Sequence, residues 1–536
     1  MTIPRFNGIR LAIFILCATF LGSPYVLATP GAGSPRKTRS AQASESEQQS
    51  RITRVSITGS EPTGTIGGVA YRRVWGQVFG LVAPRDAIRG FDQLPHGADG
   101  NYGYESEFEI ISPEKPGTNS AILVEAENRG TPVFLNTVHG TREAGPPSAT
   151  TNGGDPGNGF LFEHGTSYAR VQWQTGIAAS VPGMAEGVGE VIIRDFGRML
   201  AGRTKLDAKP SVDFGTYHTL LLGGISLSGF FINTFLAEGF NADPGDGGAV
   251  FQGAIAVDGT GNWLAINELA AAAGVSEFPY LVPDGKPLRA SEILGGHASD
   301  PFYIDIANYT DFYRLRASLT DVDTKNPRMR RYDWPSAHAP APIDQSSGSG
   351  RASRCNGGVP MDLNPIPHSA YLRAVTLELE HELGVPSARE APPLPPTTLF
   401  TPLDPVSSKT PNFNALPGVR LSVPLTYEDA QPMGGVRFPD VEHPVGRPVP
   451  VSVPPVVTTS IEGTCGNLGG WQQFSEEELA KRYGSEADYL KLYSESLDKL
   501  IAQGYVLASD REGMLKVASA LYERRPAQTQ SMAGQK

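Results

Sequence analysis

Residues 219–231 read Thr-Leu-Leu-Leu-Gly-Gly-Ile-Ser-Leu-Ser-Gly-Phe-Phe. An apolar run leads into a glycine pair, a serine among small residues and a second apolar run. The pattern predicts a buried strand, a tight turn and a helix, with Ser226 at the corner. A nucleophilic serine needs that geometry: the sharp turn lifts Oγ clear of the sheet and frees the next backbone N–H to stabilise an oxyanion. The usual spacing is G-x-S-x-G. Gly224 and Ser226 fit it, Ser228 stands where the last glycine belongs, and Gly229 comes one position late. Serine is small enough for the turn, so the variant is accepted, with Ser228 the next serine in line. A glycine-rich turn without chemistry is the competing reading.

With 536 residues the chain is too long for one simple core. A hydrophobic fraction of 40% marks it as globular, and 61 Gly with 45 Pro imply many turns and long connections. A net charge of −11 argues against a nucleic-acid partner, which would meet a basic surface.

The N-terminus reads as an export signal: Arg5 and Arg10, then an apolar stretch over 11–21, then Val26-Leu27-Ala28 as a cleavage site. Gly22, Ser23 and Pro24 end the apolar stretch before it reaches membrane-spanning length. The expectation is a signal over 1–28, a disordered linker over 29–50, and a secreted or periplasmic mature chain without stable membrane insertion. Signal removal leaves Cys355 and Cys465, an even count that permits a disulfide in an oxidising compartment; two free thiols are the alternative. There is no H-E-x-x-H and no phosphate loop ending in Lys-Ser or Lys-Thr, so no metal or nucleotide cofactor is expected.

Alternating apolar and polar residues over 52–57 and 71–82 make the start β-rich. Strands are expected over 108–111, 121–126, 168–173, 218–223, 249–257, 302–307 and 328–332, with helices over 187–200 and 230–239. This alternation implies right-handed crossovers and a mainly parallel sheet with helices on both faces. A catalytic core is assigned to 51–345, with an insertion near 262–299 read as a lid or substrate wall. Residues 346–536 form a C-terminal extension. It has a helix over 368–383, a proline-rich stretch over 392–455 read as extended segments on the surface, and a helical tail in which Ser475 and Ser485 are helix caps.

A serine nucleophile on such a sheet takes its acid and then its histidine from later strand ends. Of nine histidines, His96, His139, His164 and His218 precede Ser226, and His297 precedes the acid positions. His368, His381 and His443 lie in the C-terminal helix and proline-rich stretch. His338, just after the last expected strand, is the general base. Asp311, beyond the strand over 302–307, is the acid, with Asp323 as runner-up and Asp305 as a sheet-face residue. The oxyanion donors are the N–H of Leu227 and of Arg129 or Gly130, in the loop after the strand over 121–126. His139-Gly140 ranks second for that role. The Arg129 side chain is read either as a binder of a substrate carboxylate or as a surface ion pair. Trp173 and Gln174 are candidates to line the pocket; core and strand cap are their other readings.

Several segments resemble a family of long exported α/β-hydrolase-domain proteins of bacteria and fungi. Glu127-Asn128-Arg129-Gly130 is similar to its "pNRG" segment, and 224–229 to its "G-x-S-Q-S-G" elbow, with Leu227 in place of glutamine. Gly239-Phe240-Asn241-Ala242-Asp243 is similar to its "GFN-x-D" turn, and Thr310-Asp311-Phe312 to its acid segment. Asn364-Pro365-Ile366-Pro367 with Arg373-Ala374 resembles its "NPLP…RA" helix entry, and Arg482-Tyr483-Gly484 with Tyr489-Leu490 its "RYG…YL" helix. Residues 160–175 match its "GW" strand end only loosely, and Cys465 falls near an expected tryptophan. The resemblance implies an α/β-hydrolase fold and ester hydrolysis but no particular substrate; the partner expected is a small-molecule or polymer-linked carboxylic ester. An amidase or lactonase with the same triad, or a non-catalytic binding protein on a hydrolase scaffold, are the alternatives.

Overall fold

The computed structural model describes residues 49–524, apart from 87, 141–156, 175, 177–180, 182–184, 186, 268–285, 321–325, 335–364, 367, 387–393, 396–402, 406–421 and 450–469. The export signal, Asp323, His338, Cys355 and Cys465 lie outside the described residues.

The described strands of the main sheet are β1 (Arg51–Ile66), β2 (Val69–Val82), β3 (Tyr102–Pro113), β4 (Ala121–Glu125), β5 (Thr166–Val171), β6 (Thr219–Ile225), β7 (Gly253–Val257), β8 (Phe302–Asn308) and β9 (Met329–Trp334). Their order is β1-β2-β3-β5-β4-β6-β7-β8-β9. β4 to β9 run parallel, while β1, β2, β3 and β5 pair antiparallel along one flank. The β-rich start is therefore the antiparallel wing of the same sheet. Its local pattern gave strands but not their long-range register, such as Phe108 opposite Val171.

Both faces of the parallel strands are buried, which explains their nearly unbroken apolar runs. In β4, Ile122 and Val124 enter one core layer, and Ala121 and Leu123 enter the other. The first layer also holds α2 (Val188–Leu200) and α3 (Leu227–Ala237). The second holds α1 (Val133–His139), α5 (Ser369–Glu382) and the tail helices α6 (Glu476–Tyr483), α7 (Glu486–Ala502) and α8 (Arg511–Glu523).

Ser475 and Glu478 form the expected capping box on α6, with Ser475 Oγ accepting from Glu478 N at 3.2 Å and Glu478 Oε2 from Ser475 N at 2.9 Å. The buried stripe of α7 runs through Tyr489, Tyr493, Leu497 and Leu500.

The proline-rich stretch is more than a surface wrapping. Val436, Phe438, Val441 and Val445 belong to the second core layer, and Phe438 stacks on Tyr371 at 3.5 Å. Val436 N donates to Asp333 O at 2.9 Å, which ties the segment to β9. Proline density signals extended backbone, but the stretch also holds a short helix, Pro439–Glu442, whose Val441 fills the interior. No helix among the described residues is long and apolar enough to cross a membrane.

Candidate active site

The chain leaves β4 for β5 on one side, whereas β6 lies on β4's other side. At this reversal the loops after β4 and β6 meet at the strands' carboxyl ends, the edge where open α/β sheets bind ligands.

Ser226 sits between β6 and α3 with φ 63° and ψ −119°. A non-glycine residue there is strained, and such strain collects at functional sites. Ser226 is half-buried, between the fully packed residues of β6 and α3. Its N–H donates to Val257 O at 2.9 Å, and its carbonyl accepts from Gly229 N at 2.8 Å and Phe230 N at 3.2 Å. The backbone is held from both sides, so the hydroxyl is carried on a rigid corner.

The irregular glycine spacing now has a physical reason. A Cβ on Gly224 would stand 2.7 Å from Ser228 O and 2.8 Å from Ser228 Cβ, so Ser228 occupies the space that Gly224 leaves. A Cβ on Gly229 would stand 2.8 Å from Val257 O, against β7. The close approach thus falls at residue 229, one place later than usual. Ser228 is fully buried and its Oγ has no hydrogen-bond partner, so it cannot serve as an accessible nucleophile.

Opposite the corner, residues 128–131 form a tight turn. Asn128 N donates to Thr131 O at 2.9 Å and Thr131 N to Asn128 O at 3.0 Å. Arg129 (φ 51°) and Gly130 (φ 78°) both occupy the left-handed region. The Asn128 carboxamide joins this turn to the serine corner, its Nδ2 donating to Ile225 O at 3.0 Å and its Oδ1 accepting from Arg129 Nη1 at 3.1 Å. Arg129 N–H donates to Gln174 Oε1 at 3.1 Å, which puts an oxygen on one of the expected oxyanion donors. Leu227 opens α3, and the first N–H groups of a helix have no intrahelical acceptor.

Trp173 is buried: its Nε1 donates to Glu127 O at 3.0 Å and its ring packs on Phe231 of α3 at 4.2 Å. It braces the two loops from behind. His139 Nε2 accepts from Leu161 N at 3.0 Å and its ring meets Phe162 edge-on, a packing role in the second core layer.

Beneath the turn lies a buried charge cluster. Glu109 takes Arg73 on one oxygen and Arg170 on the other, the latter at 2.8 Å. Arg170 also lies 3.5 Å from Glu127 and donates to Gly130 O at 3.3 Å. Burial pushes the Glu127 carboxyl up to about 7, against the lowering pull of Arg170. Burial also pushes Glu125 up to about 8, although the N–H groups of Leu135 and Phe134 and the Tyr168 hydroxyl all donate to it.

Asp311 opens the short helix α4 (Asp311–Arg314) just beyond β8. It is buried, with Oδ2 accepting from Asn308 N at 2.8 Å. Arg331 binds Asp305 at 2.7 Å and Asp333 at 2.8 Å. Burial works against the guanidinium's charge, but Asp305, Asp333 and Asp311 outweigh it and raise its pKa. Asp305 is thus a sheet-face ion-pair partner, as the sequence suggested.

One residue escaped the sequence reading. Asp258 ends β7 on the same edge, is buried, and has φ 61°. Its N–H donates to Ile306 O at 2.8 Å. In the sequence it sits in Asp-Gly-Thr-Gly, which reads as an ordinary turn; only its strained backbone singles it out. Among the described residues no cluster of His, Cys, Asp and Glu suits a metal ion.

The fold is that of an α/β-hydrolase. A family model described as "Alpha/beta hydrolase domain" matches residues 164–516, and the chain belongs to that family. No curated protein matches the sequence. Among solved structures, it is similar to a glucuronoyl esterase from Teredinibacter turnerae at 12% identity and TM-score 0.26, over 50% of this chain and 66% of that one, just under two thirds. It is similar to esterase B from Lactobacillus rhamnosis at 10% identity and TM-score 0.26, over 56% and 80%. It is also similar to prolyl oligopeptidase B from Galerina marginata at 12% identity and TM-score 0.24, over 50% and 39%.

Proposed function

We propose that this α/β-hydrolase is an exported serine hydrolase of carboxylic esters. The observation that carries the reading is Ser226, held on a strained, accessible corner between β6 and α3. Ser226 Oγ attacks the ester carbonyl while His338 takes its proton. The oxyanion is held by the N–H of Leu227 and of Arg129 or Gly130. His338 returns the proton to the departing alcohol, leaving an acyl group on Ser226. Water then attacks the acyl-enzyme through the same base and the acid is released. Asp311 orients the imidazole in the tautomer that accepts the serine proton. Trp173 braces the site, Gln174 borders it, and the chemistry draws on no cofactor.

The N-H donor of Arg129 is occupied by Gln174 Oε1, so substrate must displace that carboxamide before its carbonyl oxygen can take the place. Asp258 is the second reading for the acid, favoured by its position on the same edge and its strained backbone.

The test is hydrolysis of 4-nitrophenyl acetate with intact-mass trapping of the acyl-enzyme. The reading expects an added acetyl on wild type, absent from Ser226→Ala, and loss of turnover in His338→Ala. Turnover that survives in Ser226→Ala contradicts it. An absence of any turnover or acyl adduct in folded wild type favours the binding-protein alternative.

A further inference from the structure

Arg129 holds a position that costs backbone energy. Both central residues of its turn have positive φ, a conformation that glycine or asparagine adopts most cheaply. Gly130 takes the second place as expected, yet a long cationic side chain takes the first. Strain kept beside the serine corner calls for a use of that side chain.

Its charge is also left over. The buried cluster beneath the turn balances two guanidinium groups, Arg73 and Arg170, against Glu109 and Glu127. Arg194, Arg198, Arg331 and Arg373 likewise meet carboxylates. Arg129 has no carboxylate within ion-pair distance among the described residues, and it is exposed. Among the described residues its Nη1 donates to the neutral Asn128 Oδ1, and the Asn128 amide in turn holds Ile225 O, next to Ser226. The guanidinium is therefore steered to the rim of the serine corner with donors to spare.

We infer that Arg129 is a specificity residue that binds an anionic group of the substrate, a carboxylate carried near the scissile ester. A guanidinium matches a carboxylate through paired N–H donors, and such charge-assisted bonds are the stronger class. A neutral ester would make no use of this charge. The inference rests on Ser226 being the nucleophile and names the substrate class for that site.

The experiment uses matched probes. One pair carries the anion on the leaving group, 4-acetoxybenzoate against 4-acetoxybenzamide. The other carries it on the acyl chain, mono-4-nitrophenyl adipate against its methyl ester. Wild type should favour the anionic member of at least one pair in kcat/KM by about tenfold or more, and Arg129→Gln should collapse that ratio, with Arg129→Lys between them. Equal handling of both pairs by wild type, or a preference that survives Arg129→Gln, overturns the inference. Calorimetric binding of the same probes to Ser226→Ala separates the two claims. Anion-selective binding that Arg129→Gln abolishes supports the anion site even where wild type turns over neither probe, a result that would instead sink the serine mechanism.

Discussion

At the scale of single residues, the two acids on the sheet edge make a clean contrast. Asp311 follows β8 and Asp258 follows β7, and both are buried. If Asp311 orients the imidazole, Asp311→Asn should cost about 10³–10⁴ in kcat with the fold intact, because the wrong tautomer is then favoured. Asp258→Asn should cost far less. Steady-state rates with melting curves for both variants decide it; a reversed order moves the acid to β7. Gln174 offers a second residue-level check. Gln174→Ala removes the oxygen that competes for Arg129 N–H, so KM for a small ester should fall with kcat little changed. The strand-to-helix corner at Ser226 and the position of Asp311 just beyond β8 were legible because apolar strands precede them. Asp258 was not, since a backbone dihedral leaves no mark in a four-residue turn.

At the scale of elements, the turn over 128–131 depends on a buried neighbour in β5. Arg170 of β5 supports Gly130 O while neutralising Glu109 and Glu127. Arg170→Met leaves buried Glu127 without its cation and Glu109 with Arg73 alone, and should destabilise the protein by about 3–5 kcal/mol, measured by denaturant unfolding. A loss under about 1 kcal/mol would mean that the cluster is more hydrated than its burial implies. The strand ends were readable from apolar runs, but α3 begins at Leu227, three residues before the expected start at 230. Serine and glycine are weak helix formers, and the strained corner imposes the helix on them through tertiary packing.

At the scale of the whole molecule, the C-terminal extension completes the sheet's second layer and touches the segment that follows β8. Tyr309, two residues before Asp311, donates its hydroxyl to Ala430 O at 3.4 Å. The sequence separated these regions into core and extension, because the contact joins residues far apart in the chain. The same layer holds Glu378 of α5, buried without a hydrogen-bond partner, its carboxyl pushed up to about 9 by burial. The folded state therefore binds a proton there that the unfolded chain releases above its ordinary value of 4.5. Stability falls as pH rises through that window, and Glu125 and Glu127 act in the same direction. Glu378→Gln should raise Tm at pH 8 by at least about 2 °C and change it little at pH 4.5. Equal shifts at both pH values would assign the gain to packing.

The central claim is that Ser226 is an activated nucleophile. The most direct measurement is covalent labelling of the purified protein by a fluorophosphonate probe, with peptide mapping of the adduct, for wild type and Ser226→Ala. The account predicts one adduct, on Ser226, abolished in the variant. No adduct on folded wild type, or labelling that persists in Ser226→Ala, would contradict it.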